Sequence, residues 1–471
     1  MADIQEGERQ LERSPSRDSL FDDDLEKPAS SPSQLPSWLS KRDASSSDTA
    51  ATKPDRAPPC LRDDPASGLA WVKNGLLLSP TWTVEPTAKS IITTLEMAIG
   101  SNNEYRVRFL RKGTLSKLYD VSFSNQGFIM RVSLPVCPQI KTEAEVATLD
   151  WVNEHTALPV PCVRAYDSSR NNPLGFEWIL MNKLVGKPLS ECWSSVSFGA
   201  KKSLVGQIAA FAASTFTQPF HDGIGSIFKA ACSSGDHRGH NSFSNVSDWM
   251  IARLEFASSG LTSRLNHSVD QDERTTLERM LELTRRIEKL MLKFMAVFET
   301  LHETMLRATG KDALQTILYH DALSLDNILI NDDGFFCGVI DWQCVSCLPL
   351  YEACQFPAFL QQGYDRSTEP VGRFYLVSKD DPPHPAYFQD YRRWEITQLR
   401  QFYIKEMTRY APGYVEIWRD KASADLRDYE AAIQNCDNEF AIEPVQQWVG
   451  VMEDGGDPGQ MPKRLHELLA G

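Results

Sequence analysis

The stretch that decides the fold runs from 318 to 342: L-Y-H-D-A-L-S-L-D-N-I-L-I at 318–330, N-D-D-G at 331–334, F-F-C at 335–337 and G-V-I-D-W at 338–342. Residues 328–330 and 337–340 are short apolar runs, read as two buried strands. Between them the chain passes through Asp333-Gly334, the usual signal for a tight hairpin turn. Such a hairpin holds Asn327 at one mouth and Asp341 at the other, close enough to share a metal ion. A neutral amide oxygen and a carboxylate are both hard ligands of the kind magnesium prefers. The same two residues also read as turn residues capping main-chain groups.

With His320, Leu323 and Asn327 as anchors, the stretch resembles the catalytic core of the aminoglycoside phosphotransferase family, the small-molecule relatives of the protein kinases, and its fungal members in particular. That family writes His-x-Asp-Leu-x-x-x-Asn, where the Asp orients a substrate hydroxyl and takes its proton and the Asn binds magnesium. The position of that Asp is Ala322 here. Asp321 stands one residue early and is the weak substitute candidate. Gln343 follows Asp341-Trp342 where many fungal members place Glu. By the resemblance His320 braces the loop through hydrogen bonding.

The resemblance extends over about 80–450 and implies an α+β, two-lobed, protein-kinase-like fold. A small β-rich lobe at 65–185 would bind nucleotide, and a large helical lobe at 186–471 would carry the metal and catalytic loop. ATP and Mg2+ are the implied cofactors. Strands at 107–110 and 119–123 flank 111–117, the place of the loop over the nucleotide phosphates, with Gly113 and Ser116 assigned to it. One glycine is a poor cradle, since several free N–H groups normally hold phosphates. Arg131, in a strand at 127–132, takes the place of the phosphate-pairing Lys, which its always-charged fork of donors can do. Its partner would be Glu145, in a helix at 143–152 with Val146, Leu149 and Val152 as apolar stripe; the plainer reading is a surface ion pair, worth little. The strand around 178–181 is the hinge. Its main chain at 182–184 would meet the adenine edge, with Met181 and Lys183 the assigned residues.

Helices fill the remainder. Residues 270–306 carry apolar side chains at three- and four-residue steps from Leu277 to Leu301, which predicts one or two amphipathic helices. Further helices are expected at 349–360 and 387–409, the latter shaping the acceptor pocket by the resemblance. Residues 223–228 read as a turn into a short strand or packing segment. Cys337, Cys344, Cys347 and Cys354 form a C-x6-C-x2-C-x6-C series, but Cys337 falls in a predicted buried strand and Cys354 in a predicted helix. Buried thiols fit that placement better than a zinc site does.

Composition bounds the partners. A chain of 471 residues with 42% hydrophobic residues and a net charge of −14 is expected to avoid nucleic acid and anionic membranes. No apolar run spans a bilayer, and the acidic amino terminus offers no leader, so a cytoplasmic location and reduced thiols are expected. Residues 1–64, rich in Ser, Pro and Asp, read as a disordered tail through which a protein partner would bind; 35–39 reads as a stray aromatic in that tail sooner than as a docking motif. Two functions compete. One is an ATP- and magnesium-dependent kinase of a small-molecule hydroxyl, its acceptor open. The other is a catalytically silent pseudokinase, a nucleotide-binding or interaction scaffold on the same fold.

Overall fold

A computed structural model describes residues 67–74, 77–221, 223–228, 243–309, 315–361, 363, 365–375 and 384–469; the expected tail at 1–64 lies outside these described residues. Period-two burial organises the first part. After a hairpin of β1 (Leu69–Asn74) and β2 (Leu77–Trp82) and the helix α1 (Ala88–Ala98) come β3 (Arg106–Lys112), β4 (Ser116–Phe123) and β5 (Gln126–Ser133). The helix α2 (Ile140–His155) leads on to β6 (Val163–Asp167) and β7 (Glu177–Asn182), and the five strands form one antiparallel sheet in the order β3-β4-β5-β7-β6. Phe128, Met130 and Val132 of β5 join Trp178 and Leu180 of β7 in the core under α1. The alternate residues face the other way, where Ile129, Ile179 and Met181 pack with Val146 of α2. Arg131 lies in step with Ile129, so the pleat aims it at α2.

Past the hinge, β8 (Lys187–Pro188) begins a helical lobe. It comprises α3 (Phe198–Phe216), α4 (Val246–His267), α5 (Gln271–Thr309), β9 (Thr316–Tyr319), β10 (Ile328–Ile330), β11 (Phe336–Val339), β12 (Ser346–Pro349), α6 (Leu350–Ala353), α7 (Ala358–Gln361), α8 (Pro385–Tyr410), α9 (Pro412–Arg419), α10 (Lys421–Gln434), α11 (Ile442–Glu453) and α12 (Leu465–Leu469). The helices α3 and α8 pack together around a core that includes Trp342 and Tyr403. The buried Lys201 of α3 reaches Glu395 of α8 at 2.8 Å. The amphipathic run at 270–306 is one helix, α5, which shares a second core with α4, α10 and α11 through Met280, Ile287, Tyr429 and Trp448. Residues 223–228 make bridges from Ile224 to Phe243 and from Gly225 to Cys347, and Ile224, Ile227 and Phe228 are buried. Among the described residues no helix is long and apolar enough to cross a membrane.

Three expectations need correction. The helix at 349–360 is split into the two short helices α6 and α7. Pro357 lies in the gap; it lacks an N–H and pushes the residue before it out of helical geometry. The strands around 111–117 run longer than the apolar pattern suggests, leaving only 113–115 between β3 and β4. Cys337 is half-buried rather than buried, because β11 is the edge of its three-stranded sheet, β11-β10-β8.

Candidate functional site

The hairpin at the centre of the sequence forms: β10 pairs antiparallel with β11, and Gly334 in the turn adopts a left-handed φ of 82°. The Ile340 N–H donates to the Asn327 carbonyl at 2.9 Å, which brings Asn327 and Asp341 to the same end of the hairpin. Gly338 makes the close approach possible. Its φ is +148°, and a Cβ there would lie 2.6 Å from the Pro159 carbonyl oxygen. That oxygen accepts the Val339 N–H at 3.0 Å and so ties the segment after α2 to β11.

Within the loop at 320–327, side chains mostly serve the loop's own backbone. Asn327 Nδ2 donates to the Ala322 carbonyl at 2.9 Å, and the Ser324 N–H donates to that same carbonyl at 2.7 Å. The Asn327 side-chain oxygen accepts no hydrogen bond among the described residues and is left for another donor or a cation. Asp321 turns its Oδ1 to its neighbour's amide, the Ala322 N–H, at 2.8 Å. Ala322 is exposed and presents only a methyl group. His320 is buried and packs edge-on against Trp342, centroids 4.8 Å apart, while its carbonyl accepts the Leu323 N–H. Its bracing is thus through ring packing and main chain. Burial holds its imidazole below the ordinary value, and the carboxylates of Asp321 and Asp341 pull the other way.

Across the cleft Arg131 ion-pairs with Glu145, and both side chains are at most 5% exposed. This is a buried pair, and its energetics differ from those of a surface one. The Nη1 of Arg131 also faces Asp341 Oδ1 at 3.5 Å. Asp341 sits at φ +64° and is 54% exposed, so its carboxylate is open to the cleft. Desolvation pushes the Arg131 guanidinium down to about 10, against the pull of Asp341 and Cys344, so it stays charged at neutral pH.

The remaining assigned residues divide. The Gly113 N–H donates to the Ser116 carbonyl at 2.8 Å, so the short β3–β4 turn spends that amide on itself. Met181 stands opposite Ile129 on one side and Val163 on the other. At the hinge the Asn182 and Lys183 amides donate to the carbonyls of Cys162 and Gly127, and Lys183 Nζ reaches Asp120 at 2.8 Å. The hinge amides without a partner among the described residues are those of Leu184 and Val185.

Sequence reading passed over Lys141. It is buried, donates to the Leu134 carbonyl at 3.1 Å, and desolvation with the nearby Arg131 charge pushes its ammonium down to about 8. The signal was present, since Lys141 lies four residues before Glu145 and four-residue spacing puts both on one helix face. Among the described residues no three His, Cys, Asp or Glu side chains form a metal cage. A site of one carboxylate and one amide oxygen is the sparse set magnesium uses when phosphates complete its shell.

Comparison with known proteins follows this geometry. The phosphotransferase enzyme family matches residues 106–352, just over half of the chain and the span from β3 to α6. A subtelomeric hrmA-associated cluster protein of Aspergillus fumigatus is 35% identical over 103 residues, 21% of this chain and 20% of that protein. The altered inheritance of mitochondria protein 9 of Meyerozyma guilliermondii is 27% identical over 154 residues, 31% of this chain and 25% of that one. The chain thus spans a quarter or less of these curated relatives. Among solved structures, aminoglycoside phosphotransferase APH(4)-Ia superposes at a TM-score of 0.41 with 15% identity, covering 79% of this chain and 99% of its own. A putative fructosamine-3-kinase of Haemophilus somnus does so at 0.37 with 13% identity, covering 78% and 98%. Both superpositions are distant. With its β-sheet lobe, its helical lobe and the matched span from β3 to α6, the chain belongs to the phosphotransferase enzyme family.

Proposed function

We propose that this protein binds ATP with magnesium between its lobes and transfers phosphate to a small-molecule hydroxyl slowly or not at all. The observation that carries the proposal is the arrangement around Arg131. Buried against Glu145 in the small lobe, it faces the open Asp341 carboxylate, at the hairpin end where the Asn327 oxygen has no partner among the described residues. Asn327 and Asp341 would hold the metal ion, and Arg131 would draw the phosphates toward it, with Glu145 fixing its orientation. Bound magnesium supplies neutralisation of charge on the transferring phosphate. The Leu184 and Val185 amides, without a partner among the described residues, are the hinge donors that would meet a purine edge.

The chemical step lacks one part. A hydroxyl acceptor must lose its proton, and the position that should take it is the Ala322 methyl; Asp321 is committed to the Ala322 amide. Binding is tested by thermal unfolding with and without millimolar Mg-ATP. A ligand at a hundred times its dissociation constant stabilises by about 2.7 kcal/mol. The wild type should show such a shift, and Asp341→Ala should abolish it. A flat response in the wild type would refute nucleotide binding and favour a pure scaffold.

A further inference from the structure

A cavity of about 630 Å³ opens on the large lobe between the segment after β12, α8, the end of α9 and α12. That volume is the size of a small-molecule pocket. Phe356, Trp418 and Ile404 supply its apolar wall, and the two rings meet edge-on with centroids 5.2 Å apart. Four cations line it, Arg400, Arg419, Arg427 and Lys463, against two carboxylates, Asp365 and Glu467. The imbalance stands out in a chain whose net charge is −14.

The cations are not equivalent. Arg400 is neutralised by Asp365 at 2.7 Å. Arg427 is 4% exposed and gives both amino groups to main-chain carbonyls, those of Tyr351 and Trp418, each at 2.8 Å. Among the described residues no carboxylate makes an ion pair with it, though Glu352 and Asp428 lie near enough to favour its charged form, so a partly offset positive charge sits at the cavity wall. Arg419 lies over the Trp418 ring, 5.9 Å from its centroid, and is exposed, with no hydrogen bond or ion pair among the described residues. A planar fork beside an aromatic wall matches a ring that bears an oxyanion, because the fork takes two oxygens at once while the ring stacks.

We propose that this cavity binds a planar aromatic anion, a ring carrying a phosphate or carboxylate group. Arg419 engages the oxyanion, Arg427 supplies background charge, and Phe356 and Trp418 hold the ring. One wall residue and a neighbour behind the wall tie this region to β9 and to the loop at 320–327. Gln361 Nε2 donates to the Tyr319 hydroxyl at 3.3 Å, and the Phe359 N–H donates to the Leu323 carbonyl at 3.0 Å. The proposal does not depend on nucleotide binding.

Calorimetric titration of the full chain with 1-naphthyl phosphate, 1-naphthol and inorganic phosphate tests it, each repeated in Asp341→Ala to set the interlobe cleft aside. Expected is one saturable site for 1-naphthyl phosphate in both backgrounds, with Arg419→Glu and Trp418→Leu each weakening it by about tenfold or more. 1-Naphthol and inorganic phosphate should each bind at least about tenfold more weakly. Arg419 is exposed at a helix end, so its substitution leaves folding intact, and thermal unfolding of the variant checks this. Absence of saturable binding at millimolar ligand, binding indifferent to Arg419→Glu, or equal affinity for 1-naphthol would each overturn the proposal. So would loss of binding in Asp341→Ala, which would place the ligand in the interlobe cleft.

Discussion

Placing a carboxylate at 322 by Ala322→Asp is the most informative perturbation of this protein, because the proposed function turns on the proton acceptor at that position. The backbone at this position is already pinned: its carbonyl accepts from Asn327 Nδ2 and the Ser324 amide, and its N–H donates to Asp321. The new side chain enters at an exposed position, so it displaces no buried contact and should leave stability within about 0.5 kcal/mol. A positioned general base contributes about 10²–10⁴-fold. The lower end is apt here, since the acceptor is not fixed and water is the default nucleophile. A hundredfold gain corresponds to about 2.7 kcal/mol off the barrier. ADP release with Mg-ATP, followed side by side for wild type, Ala322→Asp and Asp321→Ala, reads the effect. Expected is a slow or absent wild-type rate, a rise on the order of 10² in Ala322→Asp, and almost no change in Asp321→Ala. A robust wild-type rate that collapses in Asp321→Ala would refute the reasoning, because Asp321 would then be the base despite its bond to the neighbouring amide. Equal, negligible rates in all three would refute the claim that Ala322 alone limits turnover.

Other outcomes follow from the same contacts. Glu145→Ala should destabilise by about 3–5 kcal/mol, because it leaves Arg131 charged and buried; a denaturant midpoint measures this, and a loss below 1 kcal/mol, the surface-pair range, would contradict burial of the pair. Lys141→Met tests the depressed ammonium. The group titrates at about 8 folded and 10.5 unfolded, so its penalty is full below about 8 and is relieved as pH rises toward 10.5. At pH 7 the variant should gain up to about 3 kcal/mol, less about 1 for the lost bond to Leu134, and the gap should narrow from pH 8 to 10; a gap independent of pH would exclude the depressed value. Gly338→Ala should cost at least about 1–3 kcal/mol and weaken the nucleotide-induced thermal shift, since its Cβ collides with the Pro159 carbonyl; an unchanged unfolding midpoint would show that this contact is not constraining.

What the sequence made legible was local. The β10–β11 hairpin follows from two apolar runs and an Asp-Gly turn, and the one-residue offset of the Asp from the Asn spacing is visible without coordinates. The α2 stripe and the long α5 follow from three- and four-residue steps. The Pro357 break was equally readable and was missed because the apolar pattern carried across it. The hinge was different. Which amides are spent depends on pairing of 182 with 162 and of 183 with 127, partners brought together only by the sheet. The cavity on the large lobe is harder still, since its walls come from residues 355 to 467 and no local period relates Phe356 to Arg419.

Burial is the quantity that a linear reading values least well, and it decides the chemistry of the two cations beside the cleft. Arg131 and Lys141 are both buried beside the cleft and both lowered chiefly by desolvation, yet they end at different distances from neutrality. The guanidinium begins at 12.5 and falls to about 10; the ammonium begins at 10.5 and falls to about 8, with Arg131 adding to its fall. At neutral pH the first is fully charged and the second lies within about one unit of losing its proton. A Lys at 131, desolvated in the same way, would come as near to neutrality as Lys141 does. An Arg there keeps the positive charge that both Glu145 and Asp341 face, and its fork serves two partners at once. On this argument Arg at 131 is a way to hold charge in a dry site. On the proposed reading, the Ala322 methyl leaves the acceptor hydroxyl without a proton acceptor while Arg131 keeps the charge that phosphates require, so the two positions carry opposite weight for function.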